Sequence, residues 1–136
     1  MKKQVYILVI ILLSANVSYS QWINRNTDAS FQINSSHFVD ANNGYIVGLL
    51  GAIARTTNGG SSWISQNVSN TYMLSGVNFT NVTTGWACGL FGIILKTTNA
   101  GSNWNLQFSG TTNDLLRIQF VNSTTGWAIG RSGTII

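Results

Sequence analysis

Few side chains of this sequence could do chemistry. They are the acids Asp28, Asp40 and Asp114, one histidine, His37, one cysteine, Cys88, and Arg25, Arg55, Lys96, Arg117 and Arg131, once Lys2 and Lys3 at the N-terminus are set aside. Glycoside hydrolysis would need two carboxylates facing one bond, or a tyrosine nucleophile supported by an acid and by arginines that grip a substrate carboxylate. The spacing of the acids offers no such pair. Asp40 stands two residues after Phe38, where Asn81 and Asn122 stand two residues after Phe79 and Phe120, so it reads as a turn residue. Asp28 and Asp114 each follow a Trp into a loop or strand start, and Arg55 and Lys96 share one recurring position, which fits a solvated hairpin. His37 alternates with Asn78 and Gln119 at equivalent positions and has no identifiable co-ligand, so a metal role is not expected. Cys88 takes the slot of Val47 and Ile129, an apolar core slot rather than that of a reactive thiolate, and as the single cysteine it excludes an intrachain disulfide. Arg131 departs from its repeat, where Leu49 and Leu90 stand, and is the one residue to which a binding role is assigned. No catalytic residue, metal or cofactor is expected.

These residues are placed by a repeat of 41 residues. Trp22, Trp63 and Trp104 follow that spacing, as do Phe38, Phe79 and Phe120, and Gly44, Gly85 and Gly126. Between Gly44–Trp63 and Gly85–Trp104, 11 of 20 positions are identical. Periods of this length mark solenoids and propellers.

Within a unit, period-two alternation predicts four short strands. The first is Leu74 to Phe79, with Leu116, Ile118 and Phe120 expected on the core face of the third copy. The second is Gly85 to Gly89, whose small residues suit close approach of a neighbouring backbone. Gly92 to Thr97 is the third, with Ile53, Ile94 and Ile135 at one recurring position. The link to the fourth runs Thr97-Thr98-Asn99-Ala100-Gly101-Ser102-Asn103-Trp104, matched by Thr56-Thr57-Asn58-Gly59-Gly60-Ser61-Ser62-Trp63. A short Asn side chain can accept backbone N–H groups across a bend, Gly60 and Gly101 supply positive φ, and Trp buries a large ring where sheets meet.

That link resembles the Asp-box of the BNR repeat, Ser/Thr-x-Asp-x-Gly-x-Thr/Ser-Trp, with Asn58 and Asn99 in place of Asp. Together with Gly-Trp-Ala-x-Gly and Phe-x-Asn/Asp-x-x-x-Gly, the unit is similar to the photosystem II stability/assembly factor family of propellers over residues 22–136. The resemblance implies an all-β fold of β-propeller blades, each of four antiparallel strands, and a role in protein assembly. Units 22–62 and 63–103 are complete and 104–136 stops within its third strand, about 2.8 repeats in all. An incomplete propeller, the N-terminal piece of a longer product, is therefore expected. Trp22 to about Thr27 would then be the fourth strand of a blade completed from the far C-terminus, closing the ring as a monomer.

Residues 1–20 read as a secretory signal and 21–136 as the partial propeller. Met1-Lys2-Lys3 is the positive end, Val5 to Leu13 the apolar run, and Ser18-Tyr19-Ser20 the cleavage site. The run is far shorter than the ~20 residues of a membrane span, so no stable span is expected after cleavage. A secreted, periplasmic or cell-surface location follows. The net charge of +4 comes without any Lys/Arg cluster, which argues against nucleic acid. Charged residues are only 7% of the chain, Pro is absent, and Asn, Thr, Ser and Gly supply the polar surface of strands and turns. The expected function is a non-catalytic binding scaffold for a protein or glycan ligand. The alternatives are a sialidase-like hydrolase with its catalytic residues in other blades, or an adhesion protein with a C-terminal sorting domain.

Overall fold

The computed structural model describes Thr27, residues 30–66, Val68 and residues 72–136; the signal segment, Trp22, Asp28 and Asn67 lie outside the described residues. Three antiparallel sheets follow one another along the chain. The first holds β1 (Ile33–Phe38), β2 (Gly44–Gly48), β3 (Ile53–Thr56) and β4 (Ile64–Gln66) in that order. The second repeats it with β5 (Leu74–Phe79), β6 (Gly85–Gly89), β7 (Ile94–Thr97) and β8 (Asn105–Gln107). The third pairs β9 (Leu115–Phe120) with β10 (Gly126–Gly130), and Ile135 bridges to Ile129. Each sheet is a meander of strands joined by short turns, as in a propeller blade. The third strand starts later than alternation predicts: Leu90–Gly92 forms one 3-10 turn with Gly92 at φ +71°, so pairing begins at Ile94.

The recurring Phe and Gly are cross-strand partners. Phe38 faces Gly44, Phe79 faces Gly85 and Phe120 faces Gly126. The Phe ring lies flat over the glycine, so that a Cβ built on Gly85 would sit 2.4 Å from the Phe79 ring. The ring's other face stacks on the preceding sheet. Tyr45 lies 3.6 Å from Phe79 at an interplanar angle of 10°, and Trp86 lies 3.7 Å from Phe120 at 9°. Trp63 and Trp104 meet the edges of Phe38 and Phe79, both at 5.9 Å. The cores are therefore between sheets: Tyr45, Val47 and Ile53 pack on Leu74, Val77 and Phe79, and Trp86 and Cys88 on Leu115 and Ile118.

The second recurring glycine has a different task. A Cβ on Gly48, Gly89 or Gly130 would strike the carbonyl oxygen of Gln32, Met73 or Asp114. The N–H of the next residue, Leu49, Leu90 or Arg131, donates to that same carbonyl at 3.1, 3.0 and 2.9 Å. This close approach goes with a bulge in each first strand, where register shifts between Ile33 and Ser35, Leu74 and Gly76, and in the β10 ladder between Ile129 and Gly130. The extra residue inverts the face order. Leu115 is consequently fully buried while Leu116 is 43% exposed, which corrects the expected placement of Leu116 beside Ile118 and Phe120.

The Asp-box-like links are organised by the threonine that precedes them. Buried Thr97 accepts the Asn99 and Gly101 N–H groups at 3.3 and 3.0 Å and donates its hydroxyl to Asn99 Oδ1 at 3.0 Å. Asn99 Oδ1 also accepts the Asn103 N–H at 2.9 Å. Thr56, Asn58, Gly60 and Ser62 repeat the pattern, with Asn58 Oδ1 accepting the Ser62 N–H at 2.9 Å. Gly60 and Gly101 take φ +82° and +84°. Ala100, where the other copy has Gly59, is held at φ +58°, a region that costs an L-residue about 1–2 kcal/mol.

Urea unfolding of three variants tests these contacts. Gly85→Ala must drive the Phe79 ring off the glycine and against Tyr45, with an expected loss of about 1–3 kcal/mol in urea unfolding. Thr97→Val strands two loop N–H groups and should lose a similar amount, whereas Ala100→Gly relieves the left-handed alanine and should leave stability unchanged or raised by up to about 1 kcal/mol.

Candidate functional site

The first strands of the three sheets, β1, β5 and β9, lie side by side and so form the inner wall where the sheets converge. Their recurring polar position is a connected row. Asn78 Oδ1 accepts the Phe120 N–H of the next sheet at 2.9 Å, and Asn78 Nδ2 lies 3.4 Å from His37 Nδ1 in the preceding one. Asn34 Nδ2 likewise donates to the Leu74 carbonyl at 2.9 Å. Burial pushes the His37 pKa down, opposed in part by a hydrogen bond with the Phe79 backbone. His37, a polar strand residue by its repeat position, thus joins two sheets.

Beside this row opens a cleft of about 200 Å³ walled by Ser35, Ser36, Asn78, Arg117 and Gln119. Arg117 stands where the other copies have Ser35 and Gly76, and the bulge of β9 places it on the cleft. Its repeat position gave Arg117 no assigned role. The signal was present, since it departs from its repeat as clearly as Arg131 does. With serine hydroxyls, two side-chain amides and a guanidinium, the cleft offers donors and acceptors from three adjacent strands, β1, β5 and β9. Such a lining can pair with peptide-like amides or a carboxylate.

Arg131 itself lies elsewhere, in the turn after β10. Its Nε is 3.3 Å from Asp114 Oδ2, with the arginine side chain 70% exposed, a geometry worth about 0–1 kcal/mol. Asp114 Oδ1 also accepts the Phe91 N–H at 3.1 Å. The pair fastens the β10 turn to the start of β9 and to the neighbouring sheet. Asp40 accepts the Asn42 and Asn43 N–H groups, both at 2.8 Å, and the Asn43 backbone N–H is the main cause of its lowered pKa. Asn81 and Asn122 make the same turn by accepting Thr83 and Thr84, and Thr124 and Thr125. Burial drives the Cys88 thiol up to about 12, the state of an inert core group. Among the described residues no group of three His, Cys, Asp or Glu side chains is placed to hold a metal, and no helix is long and apolar enough to cross a membrane. Of the marker residues, Phe79 is buried, Phe120, Trp63 and Trp104 are partly buried, and Phe38 is exposed. The indole N–H groups of Trp63 and Trp104 are buried without a partner.

Known proteins resemble this arrangement. A solved structure described as YCF48 bound to D1 peptide superposes with a TM-score of 0.75 at 22% identity, covering 88% of this chain and 40% of that one. YCF48 from Cyanidioschyzon merolae gives 0.68 at 21% identity, covering 79% and 37%. At such identities the likeness concerns the fold, and the chain spans about two fifths of the length of these relatives. No curated protein sequence matches it. The family model described as photosynthesis system II assembly factor YCF48 matches residues 14–110. With that match running across the first two sheets, the chain belongs to the YCF48 family of assembly-factor propellers.

Proposed function

We propose that this chain is a non-catalytic propeller module that holds an extended segment of another protein during its assembly, and that it does so after export. Family membership supports the assembly role, and a solved protein of the same fold is described as bound to a peptide. The observation that carries the reading is the inner-strand cleft. Its polar groups come from three adjacent first strands, and hydroxyl, amide and guanidinium groups together can pair with the amides of an extended chain. Arg117 supplies the charged donor, and a guanidinium prefers a carboxylate or carbonyl in bidentate contact. Asp40 and Asp114, by contrast, are occupied by turn N–H groups, by Phe91 and by Arg131, and so hold the scaffold instead of facing a substrate. Export rests on the Met1-Lys2-Lys3 end, the Val5–Leu13 run and the Ser18-Tyr19-Ser20 site.

Fluorescence anisotropy with the labelled D1 peptide, and with a scrambled peptide of the same composition, tests the binding role. Arg117→Ala should weaken binding of the D1 peptide about tenfold or more, as expected for loss of a charged hydrogen bond. Unchanged affinity in Arg117→Ala and in Asn78→Ala would place the peptide elsewhere. Export is checked separately by intact-mass spectrometry of the secreted product, which should begin at Gln21; a retained 1–20 segment would mean that the apolar run anchors the protein.

A further inference from the structure

His37 is the only histidine of the sequence, and its contacts fix which ring nitrogen carries the proton. Asn78 Oδ1 accepts the Phe120 N–H of the third sheet at 2.9 Å. A carboxamide has one oxygen and one nitrogen, so the group it turns toward the first sheet is Nδ2, which can only donate. That nitrogen lies 3.4 Å from His37 Nδ1. Nδ1 must therefore present its lone pair, and neutral His37 carries its proton on Nε2. Three sheets are joined in this way through two side chains. The surroundings give an imidazolium no support. Across the first sheet His37 stands opposite Tyr45, whose own pKa burial raises, and Tyr45 stands opposite Arg55, whose guanidinium lies 5.8 Å over the Tyr45 ring. The second sheet brings uncharged Asn78 and the Phe79 backbone, and the third brings Arg117 to the cleft that Asn78 lines. Asp40, the acid nearest in sequence, is engaged by the Asn42 and Asn43 N–H groups. Burial holds the imidazole neutral, and the hydrogen bond with the Phe79 backbone offsets only part of that effect.

We infer that His37 is an acid-operated switch that transfers Asn78 from the third sheet to the first and so reshapes the inner cleft. Its consequence for peptide binding rests on the function proposed for that cleft. A proton arriving at Nδ1 sets an N–H against the Asn78 amide hydrogens, and two donors cannot share a bond. Contact is restored when the carboxamide turns over and offers Oδ1 to the imidazolium. A hydrogen bond from a charged donor is roughly twice as strong as a neutral one, which favours the exchange. The exchange takes the acceptor away from the Phe120 N–H. The sheets stay together, because the stacks of Tyr45 on Phe79 and Trp86 on Phe120, at 3.6 and 3.7 Å, are untouched. What changes is the cleft. Asn78 is part of its wall, and Phe120 follows directly on Ile118 and Gln119, which form another part. A reversed amide and a released N–H there alter the donors and acceptors offered to a bound chain. The equivalent positions of the other units hold Asn78 and Gln119, which do not titrate, so His37 alone gives the row this property.

The test follows the imidazole nitrogens of the purified full chain by NMR from about pH 8 to about pH 5, the range in which histidine titrates. At the upper end the proton should lie on Nε2. On acidification Nδ1 should gain a proton with a midpoint below the ordinary 6.5, and the Asn78 side-chain and Phe120 backbone amide signals should shift with the same midpoint. Fluorescence anisotropy with the labelled D1 peptide over the same range should show affinity falling ~tenfold, the effect of one pKa unit of difference between bound and free protein. His37→Gln keeps a neutral acceptor, so it should bind like the wild type at the upper end and lose the pH dependence. A proton on Nδ1 at the upper end overturns the inference, and so do Asn78 and Phe120 amides that stay still while His37 titrates. Peptide binding that ignores pH, or that keeps its pH dependence in His37→Gln, overturns the regulation of the cleft. Absence of peptide binding at every pH strikes the proposed function of the cleft, and the amide shifts still decide the switch.

Discussion

The fold depends on a phenylalanine ring that must lie flat on its own sheet. In each unit the first-strand Phe sits opposite a glycine, and only a residue without Cβ lets the ring down onto the backbone. Once flat, the ring has a free face parallel to the sheet, and that face is what Tyr45 and Trp86 stack upon. A side chain on Gly85 would lift the ring and open the gap between sheets. Parallel stacks and their aliphatic surroundings then supply most of the apolar burial, since both core clusters lie between sheets. The glycine of one strand thus controls the packing of two sheets.

A second constraint works at the other end of the same hairpin. The glycine that closes β2, β6 and β10 lets a carbonyl from the approach to the first strand come into van der Waals contact, and the next N–H captures it. The chain absorbs this approach as a bulge. Bulges re-aim side chains, and here the change turns Leu115 inward and places Arg117 on the inner cleft. The inner cleft is therefore a by-product of how the hairpin is tied, and sequence can vary at that point without disturbing the stacked rings.

Polar side chains carry the remaining structure in a protein with so few charges. Threonine hydroxyls and asparagine amides close the links between third and fourth strands, and Asp40, Asn81 and Asn122 close those between first and second. Each replaces a water that the turn N–H groups would otherwise need. Asn serves in the Asp-box position because the loop asks only for an acceptor oxygen there, and Asn58 also uses its amide to donate to Ser62 Oγ at 2.9 Å.

By itself the sequence determined the unit: its length of 41 residues, the extents of the first and second strands, and the Asn-Gly-Trp link. Those features are local or periodic, and physical necessity ties each to a residue type that can be read without coordinates, such as positive φ at Gly60 and Gly101. Family membership follows from the same motifs. Tertiary structure decided which face each residue occupies after a bulge, because one extra residue inverts a period-two pattern and leaves no mark of its own in composition. That is why Leu116 faces solvent while Leu115 is buried, and why Arg117 lies on the cleft while Arg131 lies beside Asp114 in the turn after β10. The pairing of Phe with Gly and the stacking across sheets were decided there as well, since both join residues brought together only by strand register and by the approach of one sheet to the next.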